Sequence, residues 1–178
     1  MARKGWQVDL SKCIGCHGCT IACKAGNCDC EMLRIFRRFT VGIPSPVLAE
    51  YYVTMSCNQC EDPSCVAACP KGALHKDPET GIVMHDPDRC VGCRRCEWAC
   101  PYGAVQFCSD TGRVTKCQMC YDRQEVGLEP QCVATCAMSA ITVVDDFDIA
   151  ESGLNAPACF ADPALTRPAI KFINPYLP

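Results

Sequence analysis

The chain has 178 residues, seventeen basic against twenty acidic, and a formal net charge of −3. That balance excludes the basic footprint of a nucleic-acid binder, and no polybasic run points to a membrane surface. Twenty cysteines inflate the 49% hydrophobic content while aromatics supply only 7%. The ordinary apolar core is therefore thin, and a chain of one domain or two small ones needs internal ties such as metals or disulfides. No apolar stretch reaches transmembrane length, and no apolar h-region follows Met1-Ala2-Arg3-Lys4, so neither a span nor a secretory signal is expected.

In chain order, a strand-like segment at residues 6–9 leads into the first cysteine run, Cys13, Cys16, Cys19 and Cys23, spaced C-x2-C-x2-C-x3-C. The second run is Cys57, Cys60, Cys65 and Cys69 before Pro70, with its middle gap stretched by two residues. Residues 73–76 and 82–85, joined across residues 77–81, read as a β-hairpin. The third run, Cys90, Cys93, Cys96 and Cys100 before Pro101, repeats the first spacing and matches the bacterial ferredoxin pattern. Residues 104–108 and 113–116 form a second hairpin pattern around residues 109–112. The fourth run, Cys117, Cys120, Cys132 and Cys136, keeps C-x2-C and C-x3-C but has eleven residues between them. Residues 140–144 close the last repeat as a strand. Short helices are expected to start near the fourth cysteines, Cys23, Cys69, Cys100 and Cys136.

Three thiolates from one tight loop can reach three irons of a cubane, and the fourth iron needs a ligand from elsewhere in the chain. Sixteen soft thiolates in four such runs supply four cubes with none left over. A disulfide scaffold is the first alternative at this cysteine density, but it needs no clustered, repeated spacing. Zinc is the second, since C-x2-C pairs also build ribbons and knuckles, yet a third cysteine after two residues and a fourth after three suit a cubane better. The fold class expected is α+β: two ferredoxin-like modules with short hairpins and short helices, plus an extended C-terminal arm.

Residues 31–52 interrupt the repeats with Arg34, Arg37 and Arg38 interleaved with Ile35, Phe36 and Phe39. A half-exposed strand with solvated arginines is preferred over a partner-docking surface. The tail after Asp145 carries Pro157, Pro163, Pro168, Pro175 and Pro178, which resist helix and central strand. It also carries Phe160, Leu165, Ile170, Phe172, Ile173 and Tyr176, too apolar for a solvated tail. An arm lying along its own core or a partner is expected. Cys28, Cys30, Cys108 and Cys159 remain outside the runs and read as free thiols or small buried hydrophobes. An extra metal site at Cys28 and Cys30 would need Cys108 or Cys159 to converge on them. His17 reads as a loop residue shaping the local field, and Trp98 and Tyr102 as packing.

The segments Cys57-Asn58-Gln59-Cys60-Glu61-Asp62-Pro63-Ser64-Cys65, Cys69-Pro70-Lys71-Gly72-Ala73-Leu74-His75-Lys76, Cys96-Glu97-Trp98-Ala99-Cys100-Pro101-Tyr102-Gly103-Ala104 and Thr115-Lys116-Cys117-Gln118-Met119-Cys120-Tyr121-Asp122-Arg123 resemble the iron-sulfur subunit of dimethyl sulfoxide reductase and its relatives. The resemblance covers residues 6–145. It implies an electron carrier between a molybdenum or tungsten bis-pterin catalytic subunit and a membrane or soluble partner. It also implies that run one pairs with run four and run two with run three. Cys13, Cys16 and Cys19 would then share a cluster with Cys136, and Cys117, Cys120 and Cys132 one with Cys23. Cys57, Cys60 and Cys65 would join Cys100, while Cys90, Cys93 and Cys96 would join Cys69. Some relatives carry tryptophan at the third position of the third run and hold a three-iron cluster; Cys96 here implies four [4Fe-4S] clusters. Lys24 and Ala137 stand where a proline follows the second and third runs, so the turn there is less constrained.

The pairing divides the chain into a first module of residues 1–30 and 110–145, a second of residues 53–109, an insertion at 31–52 and an arm at 146–178. No acid–base pair, phosphate loop or flavin motif marks a catalytic residue, so a non-catalytic subunit of an oxidoreductase complex is expected. A free-standing polyferredoxin and a zinc-binding interaction module are the alternatives. Both a cytoplasmic site and a periplasmic one, reached by co-export with a signal-bearing partner, fit the sequence, as do anaerobic respiration and a separate membrane anchor.

Overall fold

The computed structural model describes residues 3–27, 38–44 and 50–174. Arg34, Arg37, Cys28, Cys30, Ile35, Phe36, Pro175, Tyr176 and Pro178 lie outside them, as does the side chain of Phe39.

Strand β1 (Gly5–Asp9) enters the molecule and is followed by helix α1 (Gly18–Gly26). Next come β2 (Arg38–Pro44), β3 (Glu50–Ser56) and the one-turn helix α2 (Ser64–Ala67). The first hairpin pairs β4 (Leu74–Lys76) with β5 (Val83–His85), and α3 (Arg95–Ala99) leads to the second, β6 (Gln106–Cys108) with β7 (Arg113–Thr115). Helices α4 (Tyr121–Glu125) and α5 (Gln131–Ala134) precede β8 (Ile141–Val144), and β9 (Ile170–Ile173) ends the described chain.

Both expected hairpins are present, and the first shows why. The Asp77 carboxylate accepts from the Glu79 and Thr80 amides at 2.8 and 2.9 Å, and Gly81 takes the left-handed φ of 71° that reverses the chain. The expected helix positions need correction. Helices α2, α3 and α5 begin just before the third cysteine of their runs and stop before the fourth. The left-handed residue three places after the fourth cysteine, Gly72, Gly103 or Ser139, turns the backbone away, so no helix can start there. Only in run one does a helix, α1, continue through the fourth cysteine, Cys23.

Strand β1 is the centre of a three-stranded sheet, antiparallel to β8 and parallel to β9. The proline-rich stretch after Asp145 therefore returns to its own core: Trp6 pairs in register with Ile170, and Ala169 donates to the Asn58 carbonyl at 2.8 Å. Phe160 bridges Tyr102 and Phe172, with ring centroids 4.9 and 5.3 Å away. The main core mixes Trp6, Val8, Val53, Ile82, Ile141 and Phe172 with cysteines from the first, second and fourth runs. A smaller one surrounds Leu74, Val83, Val105 and Val114 with cysteines of the second and third. Among the described residues no helix is long and apolar enough to cross a membrane.

Candidate iron-sulfur sites

In every run the residue before the second cysteine adopts a left-handed backbone: Gly15 at φ 68°, Gln59 at 48°, Gly92 at 68° and Met119 at 54°. This kink bends C-x2-C into a concave loop, and in runs one, two and four its amide points at sulfur, a geometry suited to negative charge. The Met119 amide donates to Cys117 Sγ at 3.3 Å, and the Gly15 and Gln59 amides do the same for Cys13 and Cys57. His17 and Arg94, directly after the second cysteines of runs one and three, are also left-handed. They start α1 and α3, so His17 shapes the loop through its backbone.

These loops assemble into four neighbourhoods. Cys13 faces Cys16, Cys19 and Cys136, which we call quartet 1. Quartet 2 brings Cys23 against Cys117, Cys120 and Cys132. Quartet 3 gathers Cys57, Cys60, Cys65 and Cys100. In quartet 4, Cys69, Cys90, Cys93 and Cys96 line one small cavity walled by Leu74 and Val114. Quartets 2 and 3 adjoin through Cys117 and Cys57, and quartets 3 and 4 share the smaller core. Arg38 lies within electrostatic reach of Cys132, Cys117 and Cys23 of quartet 2 and Cys19 of quartet 1. The four therefore follow one another from 1 to 4. Cys16 and Cys93, in the two outer quartets, are exposed, whereas no cysteine of the inner two is.

The donor set fits a polynuclear iron-sulfur group. Among the described residues no three His, Cys, Asp or Glu side chains converge on a single ion. A tetrahedral zinc holds sulfurs only about 3.8 Å apart, and a cubane holds them wider. Burial pushes the Cys23, Cys60 and Cys65 thiols up to about 12, so the charge of bound iron is what would deprotonate them. Cys69 differs. Burial by itself would raise it, but amides from Leu74, Lys71, Ala73 and Gly72 hold it below the ordinary thiol range. Ala140 donates likewise to Cys136 Sγ at 3.3 Å. Such N–H···S contacts are among the groups that set a cluster's potential.

Several residues around the quartets carry no legible signal in the sequence. Thr166, from the tail, hydrogen-bonds through its hydroxyl to Cys60 and meets the Tyr102 hydroxyl at 3.0 Å. Lys116 is 2% exposed and donates to the carbonyls of Cys117, at 2.7 Å, and Val83. Its ammonium also acts on Cys57 and Cys65, placing a buried cation where quartets 2 and 3 meet. Gln59 ties the same junction, donating to the Cys117 carbonyl at 3.3 Å and accepting from Val83 N at 2.8 Å. Asn27 places its amide 3.8 Å from Cys120 Sγ and 4.0 Å from Cys23 Sγ.

Three sequence readings are corrected. Arg38 is no solvated arginine; it is 1% exposed, because its register with Ser56 turns it to the inner face of the β2–β3 hairpin. Trp98 is not packing but 77% exposed, on the outer side of α3, while Tyr102 is packed beneath the tail. Cys108 is buried but is not a free thiol, for it is disulfide-bonded. Cys159 is a free, exposed thiol.

Comparison with known proteins agrees with this geometry. A 4Fe-4S dicluster domain family matches residues 48–146, and a 4Fe-4S binding domain family matches residues 10–26. One of the chains of the anaerobic dimethyl sulfoxide reductase of Escherichia coli (strain K12) is 39% identical over 178 aligned residues, covering 93% of this chain and 86% of the relative. The chain belongs to the iron-sulfur subunits of the dimethyl sulfoxide reductase family. One of the subunits of the sulfite dehydrogenase of Allochromatium vinosum is 35% identical, covering 75% of this chain and 65% of its own. The arsenate respiratory reductase iron-sulfur subunit of Shewanella sp. (strain ANA-3) is 29% identical over 98% of this chain and 97% of its own. This family member binds 4Fe-4S clusters and transfers electrons.

Proposed function

We propose that the chain carries four [4Fe-4S] clusters, one per quartet, and relays electrons between a molybdenum or tungsten bis-pterin catalytic subunit and a second redox partner. Cys13, Cys16, Cys19 and Cys136 hold the first cluster; Cys23, Cys117, Cys120 and Cys132 the second; Cys57, Cys60, Cys65 and Cys100 the third; Cys69, Cys90, Cys93 and Cys96 the fourth. Runs one and four then form one ferredoxin-like module, residues 1–30 and 110–145, and runs two and three the other, residues 53–109. The observation that carries this reading is the row of quartets with no exposed cysteine in the inner two and one exposed cysteine at each end. Electrons would enter at one outer quartet and leave at the other, while the buried pair between them is kept from solvent.

The partner assignment draws on the relatives, whose names make them parts of a dimethyl sulfoxide reductase, a sulfite dehydrogenase and an arsenate respiratory reductase. Anaerobic purification tests the whole. The protein should be brown, contain about sixteen iron and sixteen acid-labile sulfide per chain, and bring down a large molybdenum- or tungsten-containing subunit. A colourless zinc protein would overturn the cluster reading. A fully loaded chain that never associates with such a subunit would leave a free-standing polyferredoxin.

A further inference from the structure

Arg38 is the most deeply buried charge facing the cysteine sites, and none of the ion pairs among the described residues includes it. A buried guanidinium without a carboxylate costs several kcal/mol unless another negative group faces it. Its surroundings show which group that is. Nη2 donates to Ser56 Oγ at 2.9 Å and Nη1 to Thr54 Oγ1 at 3.4 Å, its plane lies 4.7 Å from the Trp6 ring centroid, and Nε has no partner. The side chain also hydrogen-bonds Cys132. The sulfurs of Cys132, Cys117, Cys19 and Cys23 are the negative groups within reach of its charge.

The β2–β3 register explains how one residue reaches two sites. Arg38 pairs with Ser56 and Thr40 with Thr54, so these four side chains share a face of the hairpin. Cys19 Sγ of quartet 1 lies 3.5 Å from Thr54 Oγ1 and 3.7 Å from Thr40 Oγ1. Arg38 thus touches quartet 2 directly and quartet 1 through the Thr54 hydroxyl. Lys116, at the next junction, donates to two backbone carbonyls while its ammonium acts on Cys57 and Cys65 of quartet 3.

We propose that Arg38 is a positioning residue that raises the reduction potential of the cluster at quartet 2, and to a smaller degree that at quartet 1. One electron added to a thiolate-ligated cluster deepens its negative charge by one, with no proton required at sulfur. A fixed cation beside Cys132 stabilises the reduced form more than the oxidised one. The electron comes from the redox partner of the relay. The inference rests on the cluster reading above, which iron and sulfide content test separately.

The test is an EPR-monitored redox titration of the purified, cluster-loaded protein, comparing wild type with Arg38→Gln and Arg38→Lys. The quartet 2 signal is identified by its loss in Cys120→Ser. Arg38→Gln should lower the reduction equilibrium constant of that cluster at least tenfold, about 59 mV for a one-electron couple. Quartet 1 should move less, and quartets 3 and 4 not at all; Arg38→Lys should stay near wild type. If Arg38→Gln assembles no cluster at quartet 2 while Arg38→Lys does so at wild-type potential, the charge requirement still stands. Full iron with an unchanged potential in Arg38→Gln, an equal shift in all four clusters, or failure of both variants to assemble overturns the proposal. Loss of iron from the wild type itself would instead count against the cluster reading.

Discussion

The half built from runs two and three and the half built from runs one and four gather the same kinds of quartet by different means. In the former, one-turn helices carry the third cysteines, Gly72 and Gly103 turn the chain away after the fourth, and the tight β4–β5 hairpin joins the runs. In the latter, α1 continues through Cys23, the runs lie far apart in sequence, and the β2–β3 hairpin lays Arg38 against both quartets. Ligand spacing therefore sets the loops, but what encloses the sulfurs is free to differ. Where local turns close the site, backbone amides surround it, as they do Cys69. In the other half amides also reach sulfur, at Cys13, Cys117 and Cys136, and the Arg38 guanidinium adds a charge from a distant strand.

Breaking one ligand should test this comparison most severely. Cys132→Ser, in a buried inner quartet, should lose about four or more iron per chain and much of the folded yield, because cluster binding is also folding free energy. Cys93→Ser, at an exposed outer position, should lose about four iron and keep its fold; iron analysis with circular dichroism separates the two. Equal loss of fold in both would remove the distinction between inner and outer quartets.

The loop glycines come next. A methyl group at Gly92 meets the Gly112 carbonyl oxygen, backbone that cannot step aside, whereas at Gly15 it meets the Tyr52 ring. Both residues have φ +68°, so each alanine carries about 1–2 kcal/mol of backbone strain. Gly92→Ala should be destabilised further, by roughly 1–3 kcal/mol, and Gly15→Ala by less. Thermal or denaturant unfolding of loaded protein measures the order, and a reversed order would mean that the hairpin turn, not the tyrosine, yields.

A smaller effect is expected at Thr166→Val, which removes the hydroxyl between Cys60 and Tyr102. The cost should be about 1 kcal/mol, with a shifted potential at quartet 3 alone. A shift elsewhere would argue that the tail acts through packing.

The smallest effect concerns Glu61, which pairs with Arg3 and Lys76 beside Cys60. Burial would raise its pKa, but hydrogen bonds from Lys76 and Arg3 hold it below the ordinary carboxylate value. Since the folded value is the lower one, its stabilisation is complete above the unfolded pKa of about 4.3 and is lost as pH falls through the folded value. Glu61→Gln should cost at most about 1 kcal/mol at neutral pH and flatten the acid limb of the stability profile. An unchanged acid limb would show the pair to be indifferent.

Much of the fold is legible in the sequence because it is local. Asp77 and Gly81 mark their turn by residue type, and glycine before the second cysteine in runs one and three anticipates the left-handed loop. Gln59 and Met119 adopt the same conformation without a glycine to announce it. Helix starts escape the spacing because the left-handed turn after the fourth cysteine depends on the chain leaving the site, which spacing does not record. Arg38 reads as a surface residue in a basic patch because strand pairing, not composition, decides which face points inward.

By itself the sequence determined the chemistry of this protein: sixteen cysteines in four runs, three of them tightly spaced, leave little but thiolate-bound iron and sulfur, since the reach of a short loop is set by covalent geometry. Tertiary structure decided the rest. Only folding could bring Cys136 to Cys13, Thr166 to Cys60 and a buried guanidinium between Cys132 and Cys19. Those meetings depend on sheet register and core packing across long stretches of chain, and no local spacing encodes them.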